Sequence, residues 1–311
     1  MLVTLYSWVV TEPGPNQFSH FDLAAAMAWD STTRIDPYAA NTIDRSHFES
    51  HWHTNKAPGT ALVGAVALAG ISSVWQVAPF GRVDIGDLVH LLAIVSAAVP
   101  AAIAAVATYT LALDLGAPRR AAIAISGVLA LGSPLTPAAS TLFSHSLAAM
   151  LGITSLALYF RCRRARTDRS RTACSVGSGM LAGYAVTTEF TSGIILVGLA
   201  ILWACADPMA DGSVHQWRLP RPGFTLFGIG ALVGVFPLIV YQHLSFGAFW
   251  RIGYQFTDFV AFSGMLSGFV GLTYPRPEHL TGILFGASGL FVQAPVFLLA
   301  LPGAITLYRR E

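Results

Sequence analysis

Charged residues are scarce in this sequence. Asp, Glu, Lys and Arg together make up 11% of its 311 residues, against about 25% in an ordinary soluble domain. So few charges cannot cover the surface of a soluble particle of this length. The net charge of +2 is also too small to indicate a protein that binds nucleic acid. Composition therefore points away from both of these classes.

Cysteine is also rare, and its spacing excludes two kinds of scaffold. The three cysteines are Cys162, Cys174 and Cys205. Each lies in or beside an apolar run, and no two have the spacing of metal ligands. We therefore expect free thiols rather than a disulfide framework.

Apolar residues dominate what remains. Hydrophobic residues account for 54% of the chain, and the mean hydropathy is +0.60. A chain surrounded by lipid must satisfy its own backbone hydrogen bonds, which leaves helices or a closed barrel. The apolar runs are long and do not alternate with polar residues, so helices are favoured. The sequence predicts an all-α, multi-pass transmembrane bundle formed by one domain, residues 1–311.

The apolar runs and the polar segments between them give an expected order of elements. Complete spans are expected at residues 60–79, 88–113, 140–160, 224–241 and 290–308. Residues 1–10 are apolar but too short to cross a bilayer, and are interpreted as the outer half of a first span. The polar residues 11–58 form a first outer loop, with a short interfacial helix at 21–29 that has Asp22 in its first turn.

The positions of the arginines predict which side of the membrane each loop faces. Residues 161–171 carry six arginines against one aspartate, and basic loops favour the cytoplasmic side. Residues 121–135 are expected to form a re-entrant hairpin, and residues 175–205 two short helices meeting near Glu189. This puts the arginines and the Arg309-Arg310 pair inside, and the first loop outside. In the alternative topology 121–135 spans the bilayer, 175–205 is one helix and the arginines lie outside.

Lys56 is the only lysine in the chain, and it lies where the first loop enters the membrane. An ammonium beside a helix start suits an anionic phosphate. The same position also suits simple snorkelling of a lysine at the interface. The sequence alone leaves both interpretations open.

Carboxylates supply candidates for a general base, which must lie within hydrogen-bond reach of the hydroxyl it deprotonates. Asp22 and Asp44 are candidates in the first loop, whereas Asp36 precedes a proline and is typical of a turn. Glu189 interrupts an apolar stretch, where an ionisable side chain indicates a functional site. The alternative for Glu189 is a carboxylate at a helix end without a functional role. The alternative for the aspartates is a solvated position in the loop.

Histidine and arginine complete the candidate site. His20, His53 and His145 are candidates for orienting an acceptor or for binding a divalent cation, although the His51-Trp52-His53 spacing is a weak metal signal. A structural hydrogen bond is the alternative for His145. Residues 243–284 are rich in aromatic and arginine side chains, and Arg276 is a candidate for contacting a lipid phosphate. A membrane-interface belt is the alternative for that segment.

Several segments resemble one known family in their order and spacing. The segments are residues 16–23, 35–38, 41–44, 55–59, 141–145, 181–190, 271–275 and 289–291. Together they resemble the polytopic GT-C glycosyltransferases, in particular family-39-like proteins similar to dolichyl-phosphate-mannose and aminoarabinose transferases. The resemblance runs over nearly the whole chain, and no single motif within it is decisive.

The resemblance implies a membrane enzyme that moves a sugar from a polyprenyl-phosphate carrier to an acceptor in the cell envelope. Its active site would lie between the first outer loop and the plasma membrane, on the extracytoplasmic side. Lys56, in Asn55-Lys56-Ala57-Pro58, matches the element that contacts the carrier phosphate in this family. Many members have a carboxylate where this chain has Asn16-Gln17, so Asp22 or Asp44 is expected to serve as base.

The sequence therefore predicts a glycosyltransferase that uses a lipid-phosphate sugar. In the expected reaction Asp22 or Asp44 deprotonates the acceptor, Lys56 and Arg276 hold the leaving phosphate, and Glu189 helps to orient the acceptor or a divalent ion. Two other functions stay open. One is a transporter or flippase of lipid-linked sugars, and the other is a catalytically inactive relative.

Overall fold

The computed structural model of the protein describes residues 1–75, 84–206, 208–209, 221–259, 264–265, 267–268, 271, 274 and 276–308. Helices form nearly all of the regular structure in these ranges, as the sequence predicted. They are α1 (Leu2–Ser7), α2 (Pro15–Trp29), α3 (Gly59–Trp75), α4 (Ile85–Ala93), α5 (Val99–Asp114), α6 (Arg119–Leu131), α7 (Leu135–Ala139), α8 (Ser144–Arg164), α9 (Asp168–Thr188), α10 (Gly193–Cys205), α11 (Pro222–Phe246), α12 (Pro277–Phe285), α13 (Leu290–Gln293) and α14 (Ala300–Tyr308).

Among the described residues, two continuous helical segments are long and apolar enough to cross a membrane. One is Ile85–Asp114, in which a π-helical turn at Ile94–Ala98 joins α4 to α5, and the other is Pro222–Phe246. A third candidate exists if the bent pair Pro277–Gln293 and Pro295–Gly303 counts as one span. The apolar helices that begin at Gly59 and Phe190 are shorter. Length and composition thus identify two or three possible spans.

Two predicted segments take a different form. Residues 121–135 do not make a re-entrant hairpin, because α6 is a single helix that runs back along α5, with Ser126 Oγ donating to the carbonyl of Ala105. Residues 290–308 do not form one continuous helix either. Pro295 lacks the amide proton that a continuous helix needs, and a 98° bend separates the helical pieces on either side. Arg309, Arg310 and the end of the predicted span at Pro79 lie outside the described residues.

The predicted break near Glu189 is confirmed, but α9 begins at Asp168 and is longer than the short helix expected from residue 175. α9 ends at Thr188, and α10 follows after a short 3₁₀ turn at Phe190–Ser192. α8 and α9 pack against each other as a hairpin of two 21-residue helices. The arginine-rich turn joins them at one end, and Glu189 lies at the other, about 30 Å away at 1.5 Å per residue.

Glycines bring α9 and α11 into backbone contact. A β-carbon added to Gly179 would lie 1.9 Å from the carbonyl oxygen of Phe227, and one added to Gly234 would lie 2.2 Å from that of Met180. Gly183 and Gly230 are equally close to the facing backbone. Small residues spaced by four allow this approach between helices in lipid. The contact fixes the end of α9, and therefore Glu189, relative to α11.

The first loop is a packed unit. A helix at residues 21–29 is confirmed as part of α2, which starts earlier, so Asp22 lies in its middle and not in its first turn. The loop also contains a hairpin that the sequence analysis did not predict, formed by β1 (Arg45–Phe48) and β2 (His51–Thr54). Glu49 and Ser50 have φ values of 48° and 71°, as a two-residue hairpin turn requires.

Candidate functional site

Lys56 lies at the junction between the hairpin and α3, where Asp44 and Tyr254 contact its ammonium. Nζ of Lys56 is 2.6 Å from Oδ2 of Asp44 and donates a 3.1 Å hydrogen bond to the hydroxyl of Tyr254. The side chains of Lys56 and Asp44 are 11% and 3% exposed. The only lysine of the chain is thus a nearly buried, fixed cation, and not a mobile interfacial side chain.

The hairpin register explains why Asp44 meets Lys56. Arg45 pairs with Thr54 at the open end of the two strands, so the residues just beyond each strand face one another. The side-chain amide of Asn55 donates to Oδ1 of Asp44 at 2.7 Å. Asp44 therefore binds Asn55 through one carboxylate oxygen and Lys56 through the other.

Tyr254 reaches Lys56 because the chain after α11 packs tightly on the hairpin. Ser46 Oγ donates to the carbonyl of Gly253 at 2.6 Å, and Ser46 also forms an isolated β-bridge with Thr257. A β-carbon at Gly253 would lie only 2.6 Å from Cα of Asn55. Only glycine fits at this position. The close approach of Gly253 to Asn55 places the next residue, Tyr254, beside the ammonium of Lys56.

The environment of Lys56 preserves its charge. Burial alone would lower its pKa, because a charged form is costly away from water. The interactions with Tyr254 and Asp44 outweigh burial, and the pKa of Lys56 lies above its ordinary value. A cation that stays protonated at neutral pH suits the binding of an anionic group.

Glu189 and His145 form the second part of the site. His145 Nδ1 lies 3.4 Å from Oε2 of Glu189, and Ser144 Oγ donates to the same oxygen. Their side chains are accessible, 63% exposed for His145 and 27% for Glu189. Burial would raise the pKa of Glu189, but the hydrogen bonds from His145 and Ser144 outweigh it and hold the pKa below its ordinary value. Glu189 is therefore an ionised, accessible carboxylate.

His20 connects the two parts. It is buried on α2, and burial together with the positive charge of Lys56 lowers its pKa to about 3, so that the imidazole is neutral. Glu189 and His145 also act on this pKa, and Tyr254, which binds Lys56, packs against Phe190, the residue that follows Glu189. Nδ1 of His20 has no hydrogen-bond partner among the described residues. We call Lys56, Asp44, Tyr254, Glu189, His145 and His20 the polar cluster.

Asp22 lies outside this cluster. Its side chain is fully buried and accepts a 2.9 Å hydrogen bond from the amide of Asn41, whereas Oδ2 has no partner among the described residues. Burial raises the pKa of Asp22 to about 8, against the opposing effect of the Asn41 hydrogen bond. A buried carboxylic acid that keeps its proton at neutral pH is poorly suited to deprotonating a substrate.

Two further candidates also lie apart from the polar cluster. His53 is buried in β2, where it packs on the ring of Phe246 and its Nδ1 lies 3.3 Å from the carbonyl of Thr33. Burial lowers the pKa of His53 to about 4. Arg276 is exposed at the start of α12, and its guanidinium makes no hydrogen bond or ion pair with a described residue. The structure does not bring either residue to Lys56.

The candidate metal ligands do not converge. No group of three or more His, Cys, Asp or Glu side chains in the described ranges is arranged to hold a metal ion. His20 and His145 belong to the polar cluster, and His53 does not. The described residues therefore provide no set of ligands for a divalent cation, whose presence the sequence left open.

Asn55 and Ser144 were not assigned a role from sequence, and Tyr254 was considered only as one of the aromatic side chains of residues 243–284. Tyr254 is 198 residues from Lys56, and no local pattern joins them. Asn55 and Ser144 adjoin the candidates Lys56 and His145, so their proximity in sequence was the available signal. The chain matches no protein-family model, no curated protein and no solved structure. The family resemblance therefore stays a prediction.

Proposed function

We propose that this protein is a multi-pass membrane glycosyltransferase that moves a sugar from a polyprenyl-phosphate carrier to an acceptor outside the cytoplasm. One observation supports this function above others. A buried lysine, fixed by Asp44 and Tyr254, shares a polar cluster with the accessible, ionised carboxylate of Glu189. Transfer from a lipid phosphate needs these two groups, a cation for the leaving phosphate and a base for the acceptor.

Lys56 binds the phosphate in this proposal. It precedes the N-terminus of α3, where the helix dipole also favours an anion. Asp44 and Tyr254 set the position of the ammonium. Because α3 is apolar, a carrier whose phosphate meets Lys56 can leave its isoprenoid tail in lipid beside the protein.

Glu189 acts as the general base. It takes the proton of the acceptor hydroxyl while the acceptor oxygen bonds to the anomeric carbon of the sugar. The bond from that carbon to the phosphate oxygen breaks, and polyprenyl phosphate leaves with the electron pair and is bound by the ammonium of Lys56. A single displacement of this kind inverts the anomeric configuration. His145 positions the Glu189 carboxylate, and the buried, neutral imidazole of His20 adds no charge beside Lys56.

This assignment moves the base from Asp22 or Asp44 to Glu189. Asp22 is buried and protonated at neutral pH, and both oxygens of Asp44 are engaged by Lys56 and Asn55. Asp44 is therefore a positioning residue. Arg276 has no part in phosphate binding in this proposal, because it lies apart from the polar cluster.

The proposed location is the plasma membrane, with the polar cluster on the extracytoplasmic side. Glu189 and the arginine-rich turn lie at opposite ends of the α8–α9 hairpin. If the basic turn is cytoplasmic, as basic loops favour, Glu189 faces outward. The acceptor would then be a glycan, lipid or protein of the cell envelope.

The decisive experiment measures sugar transfer in membranes that contain the protein. The donors are polyprenyl-phosphate mannose, glucose and aminoarabinose, and the variants are Lys56→Met, Glu189→Gln and Asp22→Asn. Glu278→Gln, an exposed glutamate on α12, is the matched control. We expect Lys56→Met and Glu189→Gln each to lower the rate at least about 100-fold, and the other two variants to retain most of it.

Two outcomes would overturn the proposal. Undiminished transfer by Lys56→Met and Glu189→Gln would remove these residues from the reaction. Movement of the carrier across vesicle membranes without sugar transfer would instead identify a transporter.

A further inference from the structure

A groove at the arginine-rich end of the molecule is separate from the polar cluster. It has a volume of about 440 Å³ and lies between α5 and α8. Its apolar wall comes from residues such as Ile103, Val106 and Leu113 on α5 and Leu158 on α8. Because α5 belongs to the candidate span Ile85–Asp114, the open side of the groove faces hydrocarbon when that segment crosses a bilayer.

Two charged residues line the polar end of this groove, Asp114 and Arg161. Arg164 neutralises Asp114, because its guanidinium binds both the carboxylate and the main-chain carbonyl of that residue. The hydrogen bond from Arg164 to the Asp114 carbonyl also places a positive charge at the negative end of the α5 dipole. Arg161 forms no ion pair with a carboxylate of the described chain. No carboxylate of the described residues therefore compensates the guanidinium at this end of the groove.

We propose that this groove binds an anionic phospholipid, with an acyl chain along the apolar wall and the phosphate at Arg161. The charge balance favours this occupant, because residues 161–171 contain six arginines and one aspartate. Basic pockets between membrane helices on the cytoplasmic side bind anionic headgroups. A guanidinium binds phosphate through two parallel hydrogen bonds, whereas the choline of a zwitterionic lipid would place a second cation beside the arginines.

This lipid site does not depend on the proposed transferase activity. The groove lies on the α5–α8 face at the arginine-rich end, and the polar cluster lies near the opposite end of α8. Bound lipid would hold the C-terminal halves of α5 and α8 together. It would also fix this end of the protein at the anionic surface of the membrane.

The test is native mass spectrometry of the delipidated, detergent-purified protein titrated with dioleoyl phosphatidylglycerol or dioleoyl phosphatidylcholine. Arg161→Gln removes the headgroup cation, and Ala157→Phe fills the groove. Arg163→Gln is the matched control, because Arg163 lies in the same last turn of α8 but does not line the groove. Circular dichroism verifies that each variant is folded.

We expect phosphatidylglycerol to bind in preference to phosphatidylcholine, and Arg161→Gln to weaken phosphatidylglycerol binding about fivefold. Arg163→Gln should change it by less than about twofold, and Ala157→Phe should weaken it. Glycerophosphoglycerol, the headgroup without acyl chains, should not compete. Equal effects of Arg161→Gln and Arg163→Gln would indicate diffuse surface charge, and equal binding of both lipids would indicate apolar contact alone. Either result would overturn the proposal.

Discussion

The hydroxyl of Tyr254 accepts a 3.1 Å hydrogen bond from the ammonium of Lys56, 198 residues earlier in the chain. The ring of Tyr254 packs against Phe190, the residue that follows Glu189. One side chain therefore contacts the proposed phosphate-binding residue and a neighbour of the proposed base. The position of Tyr254 couples the two parts of the polar cluster.

Replacing Tyr254 by phenylalanine isolates the contribution of that hydroxyl. The ring and its packing remain, and Lys56 keeps its ion pair with Asp44. We expect weaker positioning of the ammonium, seen as a rise in the KM for the polyprenyl-phosphate donor of about threefold to tenfold, with a smaller change in kcat. Steady-state transfer assays in membranes would measure this. Tyr274→Phe is the control, since Tyr274 is 92% exposed; equal KM values for the two variants would contradict the prediction.

The buried carboxyl of Asp22 should make the stability of the protein depend on pH. The folded state holds this proton up to a pKa of about 8, whereas the ordinary value is 3.8. Between these values the folded state binds more protons than the unfolded chain, so stability decreases as pH rises from about 4 to about 8. Asp22→Asn lacks this proton and can still accept the hydrogen bond from Asn41.

The expected result is that Asp22→Asn becomes progressively more stable than the wild type between pH 5 and pH 8. The difference in unfolding free energy should grow by at most about 1.4 kcal/mol per pH unit. Thermal unfolding in detergent across this range measures it. Asp36→Asn serves as comparison, because hydrogen bonds from Trp52 and His51 overcome burial and lower the pKa of Asp36. A pH-independent difference for Asp22→Asn would show that this carboxyl is ionised in the folded state.

The glycine contact between α9 and α11 should tolerate no added methyl group. In Gly234→Ala the new β-carbon would lie 2.2 Å from the carbonyl oxygen of Met180 and 2.6 Å from the amide nitrogen of Tyr184. The backbones must move apart, which we expect to cost about 1–3 kcal/mol. Because Glu189 follows α9, transfer activity should fall as well.

Gly228→Ala is the matched control on the same helix. Nothing lies within 4 Å of a β-carbon at position 228, and alanine favours helix over glycine by about 1 kcal/mol. We therefore expect Gly228→Ala to match or exceed the thermal stability of the wild type in detergent, and Gly234→Ala to unfold at a lower temperature. Indistinguishable melting curves would contradict the close packing of these helices.

The local sequence pattern was sufficient to predict several features of this protein. Apolar runs predicted most of the helices, and Glu189 marked the break between α9 and α10, because an ionisable residue is disfavoured within an apolar helix. Lys56 was identified because it is the only lysine. Its contacts were not, since they depend on a hairpin whose turn residues, Glu49 and Ser50, are not the glycine or asparagine that usually signals a two-residue turn.

Choosing the general base among the three candidate carboxylates also required the tertiary structure. Asp22, Asp44 and Glu189 are equivalent as acids in sequence, and neighbours distant along the chain make them different. Burial on α2 keeps Asp22 protonated, the hairpin binds Asp44 to Lys56, and the start of α8 brings His145 to Glu189. Each effect depends on groups within a few ångströms, and sequence separation does not report such distances.

The sequence by itself determined a helical chain with apolar segments, a basic turn at residues 161–171 and a single lysine at the start of α3. These are properties of composition and local order, which a linear pattern records. The tertiary structure alone decided that Tyr254 reaches Lys56, that His20 is neutral and that Glu189 is the accessible carboxylate. Solvation and charge pairing set those properties, and both depend on which surfaces the packed chain removes from water.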